Sequence, residues 1–405
     1  MFDVETIRKD FPILSQKVNN HNLVYFDNAA TTQKPQAVID AIVESYTKTN
    51  SNIHRGIHTV SQISTNLYEA ARKTVQSFIH APHDYEIIFT KGVTESLNLV
   101  AQTFSEVFLD EGDEVIVSAM EHHSNLVPWQ IVCERHKAHL KFIPFNHDGV
   151  LDIEAYKNLF TEKTKFVSVV HVSNTLGTVN PIKTMIDIAH GHNVPIMIDG
   201  AQSVQHFPID VQELDCDFFA FSGHKIYAPT GIGVLWGKEK WLEKLPPYQG
   251  GGDMIKTVTL EKTIYNDLPF KFEAGTTNYV GAHALGVALN YLTNLGMENI
   301  HSHEKDLMLY ATEKLSQIPY VTIIGNAPEK AGAISFEVDG AHSADIGMIL
   351  DKQGIAIRTG THCTEPIMQY YGVPGTARMS FGLYNTRDEI DYFVKMLSRI
   401  AMMFQ

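Results

Sequence analysis

Short apolar, β-branched runs recur along the first two thirds of the chain, with helix-length stretches between them. They are EIIFT at 86–90, EVIVS at 114–118, LKFIP at 140–144, FVSVVH at 166–171, VPIMI at 194–198, DFFAF at 217–221 and GVLW at 233–236. Continuous hydrophobicity, as opposed to alternation, marks strands buried on both faces, and the intervals leave room for crossover helices. The pattern predicts a mostly parallel sheet covered on both sides, an α/β architecture over about 21–280. Beyond it, 280–295 reads as a long helix rich in Ala, Leu and Gly. Strand-like pieces follow at 321–324 and 332–337, and the chain closes on a helical pattern at 388–403. These predict a large domain over 21–280 and a smaller α+β domain over 281–405, to which the helical spacing in 1–20 adds an N-terminal segment.

The 405 residues are 44% apolar, 10% aromatic and 19% charged, a composition that buries a sizeable core and excludes a disordered or low-complexity chain. The formal net charge of −14, with no long block of like charges, argues against a surface built to neutralise nucleic-acid phosphates. No apolar run approaches the length that crosses a bilayer, and the mixed-charge N-terminus is unlike a secretory signal, so a cytoplasmic protein is expected.

Three scattered cysteines, Cys133, Cys216 and Cys363, with no CxxC pair, suit a reducing compartment and argue against a disulfide framework or a thiolate metal site. Cys133 falls in the helical pattern WQIVCERHK and Cys216 precedes a buried strand, so both read as small buried hydrophobes. Twenty histidines invite a metal. Yet HExxH is absent, and His54 and His58, four apart on a possible helix, lack the carboxylate a zinc enzyme places beside them.

In open α/β sheets ligands bind beyond the carboxyl ends of the strands, so the residues after each run carry the chemistry. After EIIFT comes Lys91-Gly92-Val93-Thr94, where a glycine turn opens a helix and its free N–H groups form an anion site. After VPIMI comes Asp199-Gly200-Ala201-Gln202, and after DFFAF comes Ser222-Gly223-His224-Lys225. A lysine desolvated at a buried strand end has a lowered pKa and becomes a nucleophile toward carbonyls. A phosphate cradle, a carboxylate and a buried lysine on three strand tips are what pyridoxal 5'-phosphate requires.

With these, EHHSN at 121–125, HVSNTLGT at 171–178, FEAGTTN at 272–278, RTGTHC at 358–363 and ARMSFGLYNT at 377–386, the sequence resembles the class V aminotransferase-like pyridoxal phosphate enzymes. Within them it resembles the short-loop, SufS-type cysteine desulfurases, over nearly the whole chain. The resemblance implies the type I pyridoxal phosphate transferase fold, similar to aspartate aminotransferase. It implies that Lys225 holds the cofactor as a Schiff base and shuttles the Cα proton, that Asp199 pairs with the pyridinium, that Gln202 meets the ring hydroxyl and that His122 stacks on the ring. Thr94, Ser222 and His224 would hold the phosphate, with Thr276 reaching across from the other subunit of a homodimer. Asn174 and Arg378 would fix the carboxylate of L-cysteine, and Arg358 and Arg55 would line the pocket. Plainer roles compete with these: a capping histidine for His122, an Asx turn for Asn174, an ion pair for Arg378.

Cys363 would be the nucleophile that takes sulfur from L-cysteine as a persulfide and leaves L-alanine. A thiol must be deprotonated to attack, which asks for nearby cations or histidine, and Arg358 and His362 are the candidates. The short stretch between Cys363 and Arg378 cannot carry sulfur far. The resemblance therefore implies a SufE-type or SufU-type acceptor that comes to the site for iron–sulfur cluster assembly, and His342 stands where such enzymes engage the zinc of a SufU-type partner. An ordinary surface histidine before a helix reads as well for His342. One departure from the family pattern is Thr361 in place of a histidine, with Glu365 two residues past the thiol; facing the sulfur, Glu365 would raise the thiol pKa. The rival readings are a selenocysteine lyase on the same scaffold and an inactive scaffold that only binds a sulfur carrier.

Overall fold

The computed structural model describes residues 2–405. Seven strands form the central sheet: β1 (Ile87–Thr90), β2 (Glu114–Ser118), β3 (His139–Ile143), β4 (Thr164–Val170), β5 (Ile196–Asp199), β6 (Phe218–Ser222) and β7 (Gly233–Gly237). Their order is β1-β7-β6-β5-β4-β2-β3. β7 runs antiparallel to both its neighbours, and every other pairing is parallel. The apolar runs thus become strands within one or two residues of the predicted bounds; every residue of β5, β6 and β7 is buried, and only the edge strand β3 is largely open to solvent.

All the carboxyl ends except that of β7 point to one edge. The sheet is covered by helices on both faces, and its two sides belong to separate apolar clusters, one around Ile116, Val169 and Phe221, the other around Val117, Phe166 and Ala220. The predicted long helix spans Tyr279–Leu295 and packs against the helices Gln36–Lys48 and Thr59–Phe78.

A second, four-stranded antiparallel sheet is built from β8 (Val321–Ile324), β9 (Ala333–Val338), β10 (Arg358–Gly360) and β11 (Thr376–Ser380), in the order β8-β9-β11-β10. The helices Met297–Ser316, Ser343–Asp351 and Arg387–Met403 cover it. The last begins with a capping box in which Thr386 and Glu389 satisfy each other's backbone N–H groups. Val24 and Phe26 join this second core through parallel pairing of Val24–Tyr25 with Ile355–Ala356. The N-terminal helix Val4–Arg8 is tied to the same region by the ion pair of Arg8 with Glu389, 2.9 Å.

One expectation changes. His54 and His58 share no helix: His54 sits in a left-handed backbone conformation in a loop, and His58 caps the helix that follows. Among the described residues no cluster of His, Cys, Asp and Glu could hold a metal ion, and no helix is long and apolar enough to cross a membrane.

Candidate active site

A cavity of about 270 Å³ opens at the carboxyl edge of the central sheet, between it and β10 and β11 of the second sheet. Strand geometry delivers most of its polar lining. Asp199 is the last residue of β5, Ser222 the last of β6, and Lys225 closes a single 3₁₀ turn directly after it. Thr94 stands in the first turn of the helix Val93–Phe108. That helix start packs tightly on the sheet because a side chain at Gly233 would strike the backbone of Gly92 at 2.4 Å. The Val93 N–H donates to Ser222 Oγ at 2.8 Å, so the strand end and the helix N-terminus form one anion cradle.

Burial sets the electrostatics. It lowers the Lys225 ammonium to about 8, with Asp199 pulling the other way, and it pushes the Asp199 carboxyl up against the Ala201 N–H and Lys225. A buried carboxylate that accepts the Ala201 N–H (2.9 Å) is suited to a cationic ring nitrogen, and a half-buried amine near neutrality to a carbonyl carbon. Gln202, also in the lining, donates from Nε2 to Ala29 O at 2.6 Å. With Ser222 and the helix N-terminus beside them, these residues fit pyridoxal 5'-phosphate.

His122 turns out to be both cap and lining. Its Nδ1 accepts the Ser124 N–H at 3.1 Å at the start of the helix His123–His136. A backbone N–H can only donate, so Nδ1 carries the lone pair and the proton sits on Nε2. Burial, helped by Lys225, lowers the ring to about 3, and it stays neutral. Beneath it Glu121 is fully buried, accepting from Ser118 Oγ (2.5 Å), Asn125 Nδ2 (2.7 Å) and the Val170 N–H (2.9 Å), and burial raises it to about 7.

Asn174, Arg358 and Arg378 line the same cavity. Arg378 donates to Asn174 O at 2.8 Å and pairs with Asp27 at 3.4 Å; burial lowers it to about 10, so it remains a cation. Asn174 donates to the His362 carbonyl at 2.8 Å. Among the described residues, Arg378 Nε and Asn174 Oδ1 are buried with no partner, two polar groups left for a small polar ligand. Asp27, which sequence reasoning missed, holds both arginines, meeting Arg358 at 3.1 Å; the only signal was its place ahead of the AATTQKP motif.

Cys363 is exposed at the cavity wall, and it and His362 both adopt left-handed backbone conformations. Two consecutive non-glycine residues there are held by their surroundings. Asn174 binds the His362 carbonyl, the His123 N–H binds the Cys363 carbonyl at 2.9 Å, and Thr175 meets Thr364 at 2.7 Å. Of the two candidates for activating the thiol, Arg358 and His362, the histidine is the less suited to carry charge. Its Nε2 faces Thr376 Oγ1 at 2.9 Å, and burial beside two arginines lowers it to about 3. Arg378 and Arg358 are the cations there. Glu365 does not face the sulfur either: it meets His123 Nε2 and accepts from Thr361 Oγ1 at 2.9 Å.

Three expected residues lie outside the cavity. Arg55 is largely exposed and pairs with Asp253 at 2.6 Å, while Thr276 donates to Asn52 at 3.4 Å in the same neighbourhood. Their loops are anchored by the buried pair of Arg72 with Glu273, 2.8 Å. His342 caps the helix Ser343–Asp351 and borders a separate groove with Pro374 and Gly375.

The family model for aminotransferase class-V matches residues 24–393. A cysteine desulfurase of Escherichia coli O127:H6 is 48% identical over 400 residues, 98% of each chain, and a probable cysteine desulfurase of Halalkalibacterium halodurans is 48% identical over 399, also 98% of each. Among solved structures, the cysteine desulfurase CsdA of Escherichia coli, in an S-sulfonic acid form, is 37% identical with a TM-score of 0.93 over the full length of both chains. By that match along most of its length and by relatives nearly half identical to it, the chain belongs to the class-V aminotransferase family, among its cysteine desulfurases.

Proposed function

We propose that this pyridoxal phosphate enzyme is a SufS-type L-cysteine desulfurase that forms a persulfide on Cys363 and passes the sulfur to a SufU-type or SufE-type acceptor for iron–sulfur cluster assembly in the cytoplasm. The observation that carries the reading is the exposed Cys363 in the wall of the cavity that Lys225 also lines.

The cofactor, held by Lys225, Asp199, Gln202, His122 and the Thr94–Ser222–His224 cradle, supplies the electron sink that makes the substrate Cα acidic. Lys225, near neutrality, takes and returns that proton. Arg378 pairs with the substrate carboxylate, with Arg358 and Asn174 beside it. The Cys363 thiolate attacks the substrate sulfur: an S–S bond forms, the Cβ–S bond breaks, and Cβ gains a proton, so that thiol and L-cysteine become persulfide and L-alanine.

Three features support the wider reading. The thiol stretch is short and pinned at both ends, which favours an acceptor that docks at the cavity mouth, with the exposed His342 cap as one of its contacts. Arg55 and Thr276 lie on the outer surface, next to Ile57, which is 93% exposed, as expected of residues that serve the neighbouring site of a homodimer. The central sheet with its helices forms the large domain, about 21–280, and 1–20 with 281–405 the small one that brings Cys363 and Arg378.

The experiment is to give the loaded enzyme L-cysteine and reductant and to measure alanine and sulfide, with and without each acceptor type, for wild type and Cys363→Ser. Both products should fall by orders of magnitude in the variant. Alanine formation that survives the substitution overturns the persulfide route.

A further inference from the structure

The carbonyl that precedes Lys225 is unusually crowded with donors. His224 O accepts from the Thr32 N–H at 3.1 Å, Thr31 Oγ1 at 2.9 Å, Thr32 Oγ1 at 3.2 Å and Lys34 Nζ at 2.9 Å. A carbonyl oxygen has two lone pairs, and of these donors the ammonium binds it most strongly.

Lys34 also donates to Thr32 O, and no carboxylate lies within ion-pair distance of it among the described residues. It is surrounded by carbonyls, and burial lowers it to about 7. A half-buried lysine with no acid beside it is costly unless its donors are used. Here they are used on two carbonyls, that of Thr32 and that of the His224–Lys225 peptide.

The surroundings show what that peptide controls. Gly223 O already accepts the Ile226 and Ala228 N–H groups, so the His224–Lys225 peptide is the one in the turn that faces the segment Ala29–Lys34. Thr32 Oγ1 also accepts the Tyr227 N–H at 2.8 Å, closing a ring around the turn. The segment is fixed in turn by Ala29 N–H on Ser380 Oγ, 2.9 Å, and by Gln202 on Ala29 O. Rotation of the His224–Lys225 peptide would swing the Lys225 side chain across the cavity, and Lys34 opposes that rotation without touching the cavity itself.

We propose that Lys34 is a positioning residue that sets the place of Lys225 Nζ by clamping the His224 carbonyl. The inference rests on Lys225 being the cofactor lysine.

Its test compares Lys34→Met and Lys34→Arg with wild type. In the apoprotein, deuterium uptake of a peptide spanning 223–228 should quicken about tenfold in Lys34→Met and return toward wild type in Lys34→Arg. In the protein loaded with pyridoxal phosphate, the pH at which the visible absorbance band titrates should shift, and kcat should fall about tenfold with KM for L-cysteine within twofold. If Lys34→Met fails to fold, Thr31→Val removes another donor from the same oxygen and should show the same changes, smaller. Uptake and band titration that match wild type in the folded variant overturn the proposal. A visible band that survives Lys225→Ala would instead defeat the reading of Lys225, and the uptake measurement would still decide whether Lys34 fixes the turn.

Discussion

His123 Nε2 meets the Glu365 carboxylate beside the thiol stretch, with Thr361 donating to the same carboxylate, and so joins that stretch to the helix that His122 caps. The contact of the Cys363 carbonyl with the His123 N–H lies directly beneath it. Although its slight burial acts the other way, the Glu365 carboxyl is held below the usual range by its own N–H, Thr361 and His123. The carboxylate that sequence alone aimed at the sulfur is a brace.

Releasing that brace should make the thiol more available. An exposed pair contributes about 0.2–1 kcal/mol, so Glu365→Ala and His123→Ala should each quicken iodoacetamide alkylation of Cys363 by about two- to fivefold. The double variant should do no more than either alone, since both remove one contact. Rates that multiply would show that the two residues act separately.

The three cysteines should differ sharply. Burial pushes the Cys133 thiol up to about 11 and Cys216 beyond that, and both are packed in the central core. One equivalent of iodoacetamide at pH 8 should therefore label Cys363 alone, read by peptide mass mapping. Cys133→Ala and Cys216→Ala should keep sulfide production within twofold of wild type, Cys216→Ala losing about 1–2 kcal/mol of stability.

The parts of this molecule legible in the sequence are those set by short-range pattern. β4, β5 and β6 announced themselves because strands buried on both faces must be apolar throughout, and Asp199, Ser222 and Lys225 followed as the polar residues at their tips. What stayed hidden depends on side chains brought together from distant segments. Asp27 meets Arg358 and Arg378 only once Val24–Tyr25 pairs with Ile355–Ala356. The orientation of His362 toward Thr376, and of Glu365 toward His123, depends on two left-handed residues in a row, which no propensity indicates.

The buried pair of Arg72 and Glu273 supports the loops of Arg55 and Thr276. Glu273 accepts both terminal nitrogens of Arg72, at 2.8 and 2.9 Å, the Tyr68 hydroxyl at 2.7 Å and the Phe89 N–H at 2.7 Å. Glu273→Ala leaves a guanidinium buried without its main counter-charge, which costs about 3–5 kcal/mol. Urea denaturation should show that loss. A loss below about 1 kcal/mol would mean that the neighbouring Glu69, 2.9 Å from Arg72 Nε, suffices.

Acid should destabilise the apoprotein through histidines that folding keeps neutral. Burial lowers His122, His171 and His362 to about 3 and His224 to about 4, against 6.5 for an ordinary imidazole. Between those values and 6.5 the unfolded chain binds protons that the folded chain refuses, so stability falls as pH falls, each group contributing about 1.4 kcal/mol per pH unit. Glu121 has the opposite sign: raised to about 7, it is protonated in the fold and ionised in the unfolded chain, so its share of stability is full below pH 4.5 and lost as pH rises toward 7. Four histidines outweigh one glutamate, and urea denaturation between pH 6.5 and 5 should show stability dropping by about 2–4 kcal/mol per pH unit. His171 faces Phe207 and not the cavity, so His171→Leu should remove about a quarter of the histidine contribution to that slope, and Glu121→Gln should steepen it. A slope that neither substitution moves would mean that these rings take up protons without unfolding.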